Sequence, residues 1–508
     1  MSGSITTHGE TERTYDADPV ALLDLLGPLG LHAAPPRSEQ LAAVYLDTED
    51  LRLLRAGITL RRRTGGPDAG WHLKLPAGRD HREEIGHPLT PEHTAPPAQL
   101  AALTRLPARG GEIAPVAEIA TERRQWELTD GAGQAVAHLV GDQVTAQTMG
   151  ESTTAESWRE VEVELTGSGT VALLDRIEAE LGQAGVHRAA AKSKLARLFA
   201  AELPASHPAP GRTGSAGAAV MDYLRTQAER LRTGDVLVRR DVPNGVHQLR
   251  LATRRMRSAL QAYGRVLDPA ETRDLVRELR WLGRQLDEAR DTEVIEARLT
   301  EKLNELPAEL VLGPVDAQLT RSLQRRRRDA RDEVLAALGG RRYLRLHDAI
   351  DRLLAEPPLT RRAKRPASAE LARSVNRAWR RTERRMLAAD RTHGRVNRDR
   401  ALHETRKAAK RLRYAVEVAV PAGGRSANRF RKRLKEMHRV LGEHQDSVVC
   451  RPVIRELGAR AHSERGNGFT FGLLYGLESA HADRIDVALP PVWERLSRKK
   501  SIRWFSRR

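Results

Sequence analysis

The chain has 508 residues, enough for two or three domains with cores of their own. Its single cysteine, Cys450, excludes a disulfide framework, and no run of about 18 apolar residues is present to span a membrane. The net charge of +19 is split unevenly: of 86 Lys and Arg and 67 Asp and Glu, 20 and 29 fall in residues 1–203, leaving 66 and 38 to residues 204–508. An acidic first part and a strongly basic second part imply two domains with different electrostatic tasks. The opening ten residues have neither the apolar core nor the basic flank of a signal peptide, so the expected location is the cytoplasm.

In chain order, Thr6–Tyr15, Ala43–Leu46, Gly57–Arg63, Gly70–Leu75 and Glu83–His87 are predicted strands, followed by Ile119–Leu128, Ala135–Leu139 and Trp158–Leu165. Helical patterns occupy Val20–Leu29, Ala98–Leu106 and Val171–Ala184. So many antiparallel strands with few helices predict an α+β fold over residues 5–203, closed into a barrel. Residues 204–217 are a Pro-, Gly- and Ser-rich linker, and from residue 218 almost everything is helical. Within the helical part, Val246–Leu260 and Leu402–Val416 are copies of each other at an offset of 156, and Leu279–Asp291 matches Leu434–Asp446 at an offset of 155. Two blocks in one order at nearly one offset make a duplicated multi-helix unit, about 218–355 and 367–492. Residues 493–508 are predicted to be a basic, frayed and solvated tail.

In a strand, alternate side chains share a face. Glu10 and Glu12 do so, as do Arg61 and Arg63, and Glu160, Glu162 and Glu164 stand opposite Val161, Val163 and Leu165. With the apolar face packed outside, a closed barrel points these carboxylates into its lumen, where hard oxygens suit Mg²⁺ or Mn²⁺. Arginines from other strands suit phosphate oxygens. Acidic and basic walls together read as metal-assisted phosphoryl transfer to water.

These residues, with Tyr45-Leu-Asp-Thr-Glu-Asp-Leu-Arg-Leu, Gly70-Trp-His-Leu-Lys-Leu-Pro and Ala191-Lys-Ser-Lys-Leu, resemble the CYTH domain of triphosphate tunnel metalloenzymes. The resemblance implies an eight-stranded antiparallel tunnel in which Glu10, Glu12, Glu84, Asp142, Glu160, Glu162 and Glu164 hold metal. It implies that Arg61, Arg63, Lys74, Arg123, Lys192 and Lys194 bind a triphosphate, with Lys74, Arg123 and Lys192 also catalytic. Strand parity alone selects Glu84 over Glu83 and Arg123 over Arg124. The family's opening Glu-x-Glu-x-Lys has Thr14 in its lysine position here. Two readings follow: a triphosphatase, which is favoured, or a barrel that only binds metal and phosphate.

The repeated helices put His247, Arg250, Arg254 and Arg257 on one stripe, and His403, Arg406, Lys410 and Arg413 on its counterpart. The repeat and its position after a CYTH domain resemble the CHAD family, which implies two pseudo-symmetric four-helix bundles that bind inorganic polyphosphate. Arg255, Arg411, Arg280, Arg284, Lys435 and Arg439 join the implied binding set. Nucleic acid is the rival partner, disfavoured because aromatics make up 4% of the chain and the stripes carry none to stack bases. A polyphosphate binder without catalysis would fit polyphosphate granules.

Overall fold

The computed structural model describes residues 5–78, 80–89, 95–150, 153–203, 214–464 and 466–506. Most of the expected linker lies outside them. The chain divides into two compact units, residues 1–207 and 208–508.

The first unit contains strands β1 (Thr6–Tyr15), β2 (His32–Ala33), β3 (Arg37–Asp47), β4 (Thr59–Thr64), β5 (Gly70–Pro76), β6 (His81–Pro88), β7 (Ala114–Thr129), β8 (Ala135–Thr148) and β9 (Ala155–Leu165). Antiparallel pairing runs β7-β3-β4-β5-β6-β1-β9-β8, and β8 returns to β7, so eight strands close a barrel and β2 adds to its rim. Helices α1 (Pro19–Leu26) and α4 (Val171–Gln183) cover the outside, while α2 (Arg52–Arg55), α3 (Ala98–Thr104) and α5 (Lys194–Leu198) are shorter. Leu22, Leu26, Leu174, Ile177 and Leu181 pack on the outward residues Trp126, Leu128, Leu139, Val161 and Val163. A second apolar layer joins Leu195, Leu198 and Phe199, on and just after α5, to Tyr45, Ile119, Val144 and Trp158, which share strand parity with the charged lumen residues. The sequence reading stopped β8 at Leu139, yet the strand continues nine residues further. Gly141 allows this, because a Cβ there would lie 2.6 Å from the Pro19 ring at the start of α1.

The second unit is helical: α6 (Ala216–Arg239), α7 (Gly245–Ala262), α8 (Pro269–Gln285), α9 (Asp287–Asn304), α10 (Val315–Gly339) and α11 (Arg341–Ala355), then α12 (Ala367–Asp390), α13 (Arg395–Ser463), α14 (Phe469–Ser497) and α15 (Lys499–Ser506). Gly424, at φ 57° and ψ −147°, breaks α13 into two arms. Segments α6, α7, α8 with α9, and α10 then correspond to α12, the two arms of α13, and α14. A short helix, α11 or α15, completes each half. The halves share a core where Ile295, Leu299, Leu319 and Leu323 meet Ile454, Leu457, Phe471 and Leu474. Cys450 is buried there as a small apolar side chain. No helix among the described residues is long and apolar enough to cross a membrane.

The expected solvated tail is corrected. Residues 493–497 complete α14, and α15 places Phe505 fully buried against Phe430, Trp504 and Trp379, with Trp379 stacked on Trp493 at 5.1 Å. The basic composition hid an aromatic face. Phe505→Ala should destabilise the helical unit by about 3–5 kcal/mol, as deletion of a buried ring does elsewhere. An unchanged denaturant midpoint would restore the solvated tail.

Candidate functional site

The barrel interior joins acids and bases from most of its strands. In β1–β9 register Glu12 faces Glu164 and Thr14 faces Glu162, which puts position 14 on the lumen side. Lys74 Nζ lies 2.6 Å from Glu10 Oε2 and 3.0 Å from Glu84 Oε2. Lys194, delivered by the first residue of α5, lies 2.6–2.9 Å from Asp142, Glu160 and Glu162. Arg123 grips both oxygens of Asp142 at 2.7 and 2.9 Å, and Trp158 Nε1 donates to Glu160 at 2.7 Å. Burial opposes the charged form of Glu84 and Glu162. Their cationic neighbours win: His72, Lys74 and Arg61 pull Glu84 far down, and Lys194 and Arg123 pull Glu162 down.

The pairing is incomplete at two places. Glu164 is pushed up to about 7 by burial and by Glu10 and Glu12, so that corner holds more negative charge than its cations offset. On the other wall, Arg63 pairs with the exposed Asp68 carboxylate yet is held at about 10 by burial and by Arg61, Arg61 donates to the Tyr45 hydroxyl at 3.3 Å, and the buried Nε atoms of both arginines have no hydrogen-bond partner. Seven carboxylates (Glu10, Glu12, Glu84, Asp142, Glu160, Glu162, Glu164) meet five cations (Arg61, Arg63, Lys74, Arg123, Lys194). The donor set fits a hard divalent cation: oxygens of Asp142, Glu160 and Glu162 lie within 4.8 Å of one another, as do donors of His8, Glu10 and Glu84.

In the helical unit a cleft of about 660 Å³ opens between α7 and the first arm of α13, walled by α8, α9 and the second arm. Eleven Lys and Arg line it against three aspartates, Asp287, Asp291 and Asp446. Arg250 bonds Asp287 at 2.7 Å, and Arg406 comes only within 3.8 Å of Asp446. Deeper in, the cations face one another. Burial, then Arg254, Arg406 and Arg250, holds Lys410 down at about 5. Burial lowers Arg254 to about 10, and burial with Arg290 lowers His247 to about 4. The Nε atoms of Arg254 and Arg406 are buried without a hydrogen-bond partner. A concave surface charged in this way attracts anions.

Residues 10–199 match the CYTH domain and residues 222–455 match the CHAD domain. The chain is a CYTH–CHAD protein. It is 36% identical over 475 residues to two proteins of Mycobacterium tuberculosis, the uncharacterized protein MT2285 of strain CDC 1551 / Oshkosh and the uncharacterized protein Rv2226 of strain ATCC 25618 / H37Rv. Each match covers 91% of this chain and 90% of the relative. Among solved structures it resembles PptA from Streptomyces chartreusis, at 22% identity and a TM-score of 0.47, over 55% of this chain and 99% of that one.

The CYTH barrel places Glu84 and Arg123 inside, and Arg124 exposed. Lys192 is exposed and lines a groove with Arg82 and Arg188 that also takes in the lumen-side Glu12 and Thr14, whereas the turn into α5 sends Lys194 inward among the carboxylates. Strand parity stops at β9 and could not separate the two lysines. His8, Tyr45 and His72 were missed. His72 Nδ1 lies 2.5 Å from Glu84 Oε1, and an alternation count on β5 from Lys74 would have found it. In the CHAD cleft lie His247, Arg250, Arg254, Arg257, Arg280, Arg284, His403, Arg406, Lys410, Arg411 and Arg413. Three expected members lie outside it. Arg255 pairs with Glu417 at 3.1 Å, and Lys435 and Arg439 are exposed. Gly283 lines the cleft between Arg280 and Arg284, and its counterpart, the buried His438, lines it too and bonds the Ala409 carbonyl at 2.9 Å. Arg290, Lys407 and His438 line the cleft without having been singled out.

Proposed function

We propose that the CYTH barrel hydrolyses inorganic triphosphate, or a related triphosphate, with Mg²⁺ or Mn²⁺, and that the CHAD domain binds inorganic polyphosphate. The observation that carries this reading is the uneven pairing inside the barrel, with buried arginine Nε donors lacking partners on one wall and surplus carboxylate on the other. Arg61 and Arg63 would take phosphate oxygens through donors that have no partner within the protein. Glu10, Glu12 and Glu164, with Glu160 and Glu162, would hold the metal, which supplies Lewis-acid polarisation of a phosphoryl oxygen. Lys74, Arg123 and Lys194 contact carboxylates that a divalent cation can neutralise, which frees the same side chains to turn toward phosphate. Lys192, in the groove it shares with Glu12 and Thr14, would meet phosphate oxygens beside the metal-binding carboxylates.

The test is phosphate release from triphosphate, thiamine triphosphate, ATP and long polyphosphate, each with Mg²⁺ and with Mn²⁺. Release from at least one triphosphate, abolished by a chelator, is expected. No release from any substrate would leave a barrel that binds without hydrolysing. Thr14→Lys should raise turnover by about tenfold, because a cation at that lumen position stabilises charge on the leaving group, and tenfold requires only about 1.4 kcal/mol. The gain is bounded, since Lys194 and Arg123 already flank Glu162 across from Thr14. Thr14→Ala should leave single-turnover release unchanged.

A further inference from the structure

The groove that Lys192 shares with Glu12 and Thr14 has a volume of about 870 Å³. Its inner wall is Glu12, Thr14, Thr59, Pro76 and Arg82, from the neighbouring strands β1, β4, β5 and β6. All five share strand parity with the lumen residues Glu10, Arg61, Lys74 and Glu84, so the groove is a mouth of the tunnel. Arg61 and Arg63 follow Thr59 by two and four residues, which places them about 7 and 13 Å further in along β4. A phosphate chain held by those arginines and by the carboxylates around Glu12 points its outer end at this mouth. The mouth is cationic: six Lys and Arg line it against Glu12, Asp16 and Asp80. Asp80 is shared by Arg13 at 3.0 Å and Arg188 at 2.7 Å, and Asp16 pairs with Arg197. Arg55, Arg82 and Lys192 make no ion pair among the described residues. Arg55 donates instead to the carbonyls of Asp50 at 2.9 Å and Glu202 at 3.2 Å, and Arg82 to the carbonyl of Lys192. A carbonyl fixes a guanidinium in place without cancelling its charge. Among the described residues no aromatic side chain lines the mouth, so it offers a nucleobase no stacking face.

We propose that this mouth binds the outer phosphates of a linear chain longer than three, through Lys192, Arg82 and Arg55, and so selects polyphosphate chain ends over nucleoside triphosphates. This rests on the barrel being the triphosphate site. The cleavage inside is unchanged: the oxygen of water joins one phosphorus, the bridging oxygen leaves with the bonding pair on its neighbour, and a proton is released to solution.

The test compares kcat/KM of the full chain for triphosphate, for ATP and for linear chains of about ten phosphates, with Mn²⁺. Wild type should favour the longer chain over ATP by at least about tenfold. Arg55→Ala should lower kcat/KM for the longer chain by about fivefold and leave triphosphate within about twofold, and Arg55→Lys should recover part of the loss. Arg55 is exposed, and an unchanged melting temperature will confirm that the fold is kept. An equal loss for both substrates, no loss for the longer chain, or ATP used as well as that chain would overturn the proposal. If triphosphate is not hydrolysed at all, the reading of the barrel as a hydrolase fails, and affinity then reads the mouth. In the Arg254→Ala, Arg406→Ala background, which weakens the helical cleft, adding Arg55→Ala should raise the Kd of the longer chain by about fivefold. An unchanged Kd would overturn the proposal there too.

Discussion

Replacing Arg250, Arg254, Arg406 and Lys410 together with alanine should weaken long-chain polyphosphate binding by about a hundredfold or more at moderate salt, and flatten its salt slope by roughly 3. The four side chains stand on the facing stripes of α7 and α13, and three of them, Arg254, Arg406 and Lys410, are held below their ordinary pKa by burial first and then by neighbouring arginines, Arg250 among them in each case. That mutual repulsion is a standing cost to the folded state, offset in part by Asp287 and Asp446 and further when an anion enters. The anion-free quadruple variant should therefore melt no lower than wild type, and relief of repulsion would raise its melting temperature. Binding that survives in a titration at moderate salt would show that the track lies elsewhere. A variant that fails to fold would show that the stripes hold the helices together.

Removing Glu160 and Glu162 should abolish divalent-cation binding and also destabilise the barrel. Three aligned carboxylates on one strand predict the opposite sign for stability, because repulsion would be relieved. The structure reverses that expectation: Lys194 sits 2.6–2.9 Å from Asp142, Glu160 and Glu162, so the carboxylates are already compensated. Taking two away leaves a buried ammonium and the Arg123 guanidinium to share Asp142. Breaking a buried pair from one side costs about 3–5 kcal/mol. Adding Lys194→Met to the double variant should recover part of that loss without restoring metal binding. Mn²⁺ calorimetry and denaturant unfolding read the two effects separately. Unchanged Mn²⁺ affinity, or a double variant as stable as wild type, would contradict this account of the site.

Much of this arrangement was legible before any coordinates. Period-two alternation found the barrel strands, and the parity of 10, 12, 160, 162 and 164 put the acids on the lumen side, because a closed antiparallel barrel has only an inside and an outside. The internal repeat located the basic stripes, since side chains four apart on a helix share a face. The misses arise where tertiary packing decides. Lys192 and Lys194 lie in a turn with no fixed period, so only the placement of α5 sends one inward. Lys435 and Arg439 occupy repeat positions equivalent to Arg280 and Arg284, but both are exposed outside the cleft, where Arg439 pairs with Glu443 at 2.7 Å. Phe505 lies in a basic stretch whose composition reads as solvated, and its burial depends on Trp379 and Phe430, both far away in sequence.

The measurement that bears most directly on the cleft is proton uptake on binding. Lys410 is held at about 5 by burial and by Arg254, Arg406 and Arg250, with only Asp446 pulling the other way, so it is largely neutral at pH 7.5. A phosphate chain laid between α7 and α13 would raise its pKa and charge it, which takes one proton from solution at any pH between the free and bound values. Calorimetric titration of long polyphosphate at pH 7.5, in two buffers of different ionisation heat, should report uptake approaching one proton per chain bound by wild type and near zero for Lys410→Met. Binding with no buffer-dependent heat, or the same uptake by both proteins, would contradict the placement of the anion in this cleft.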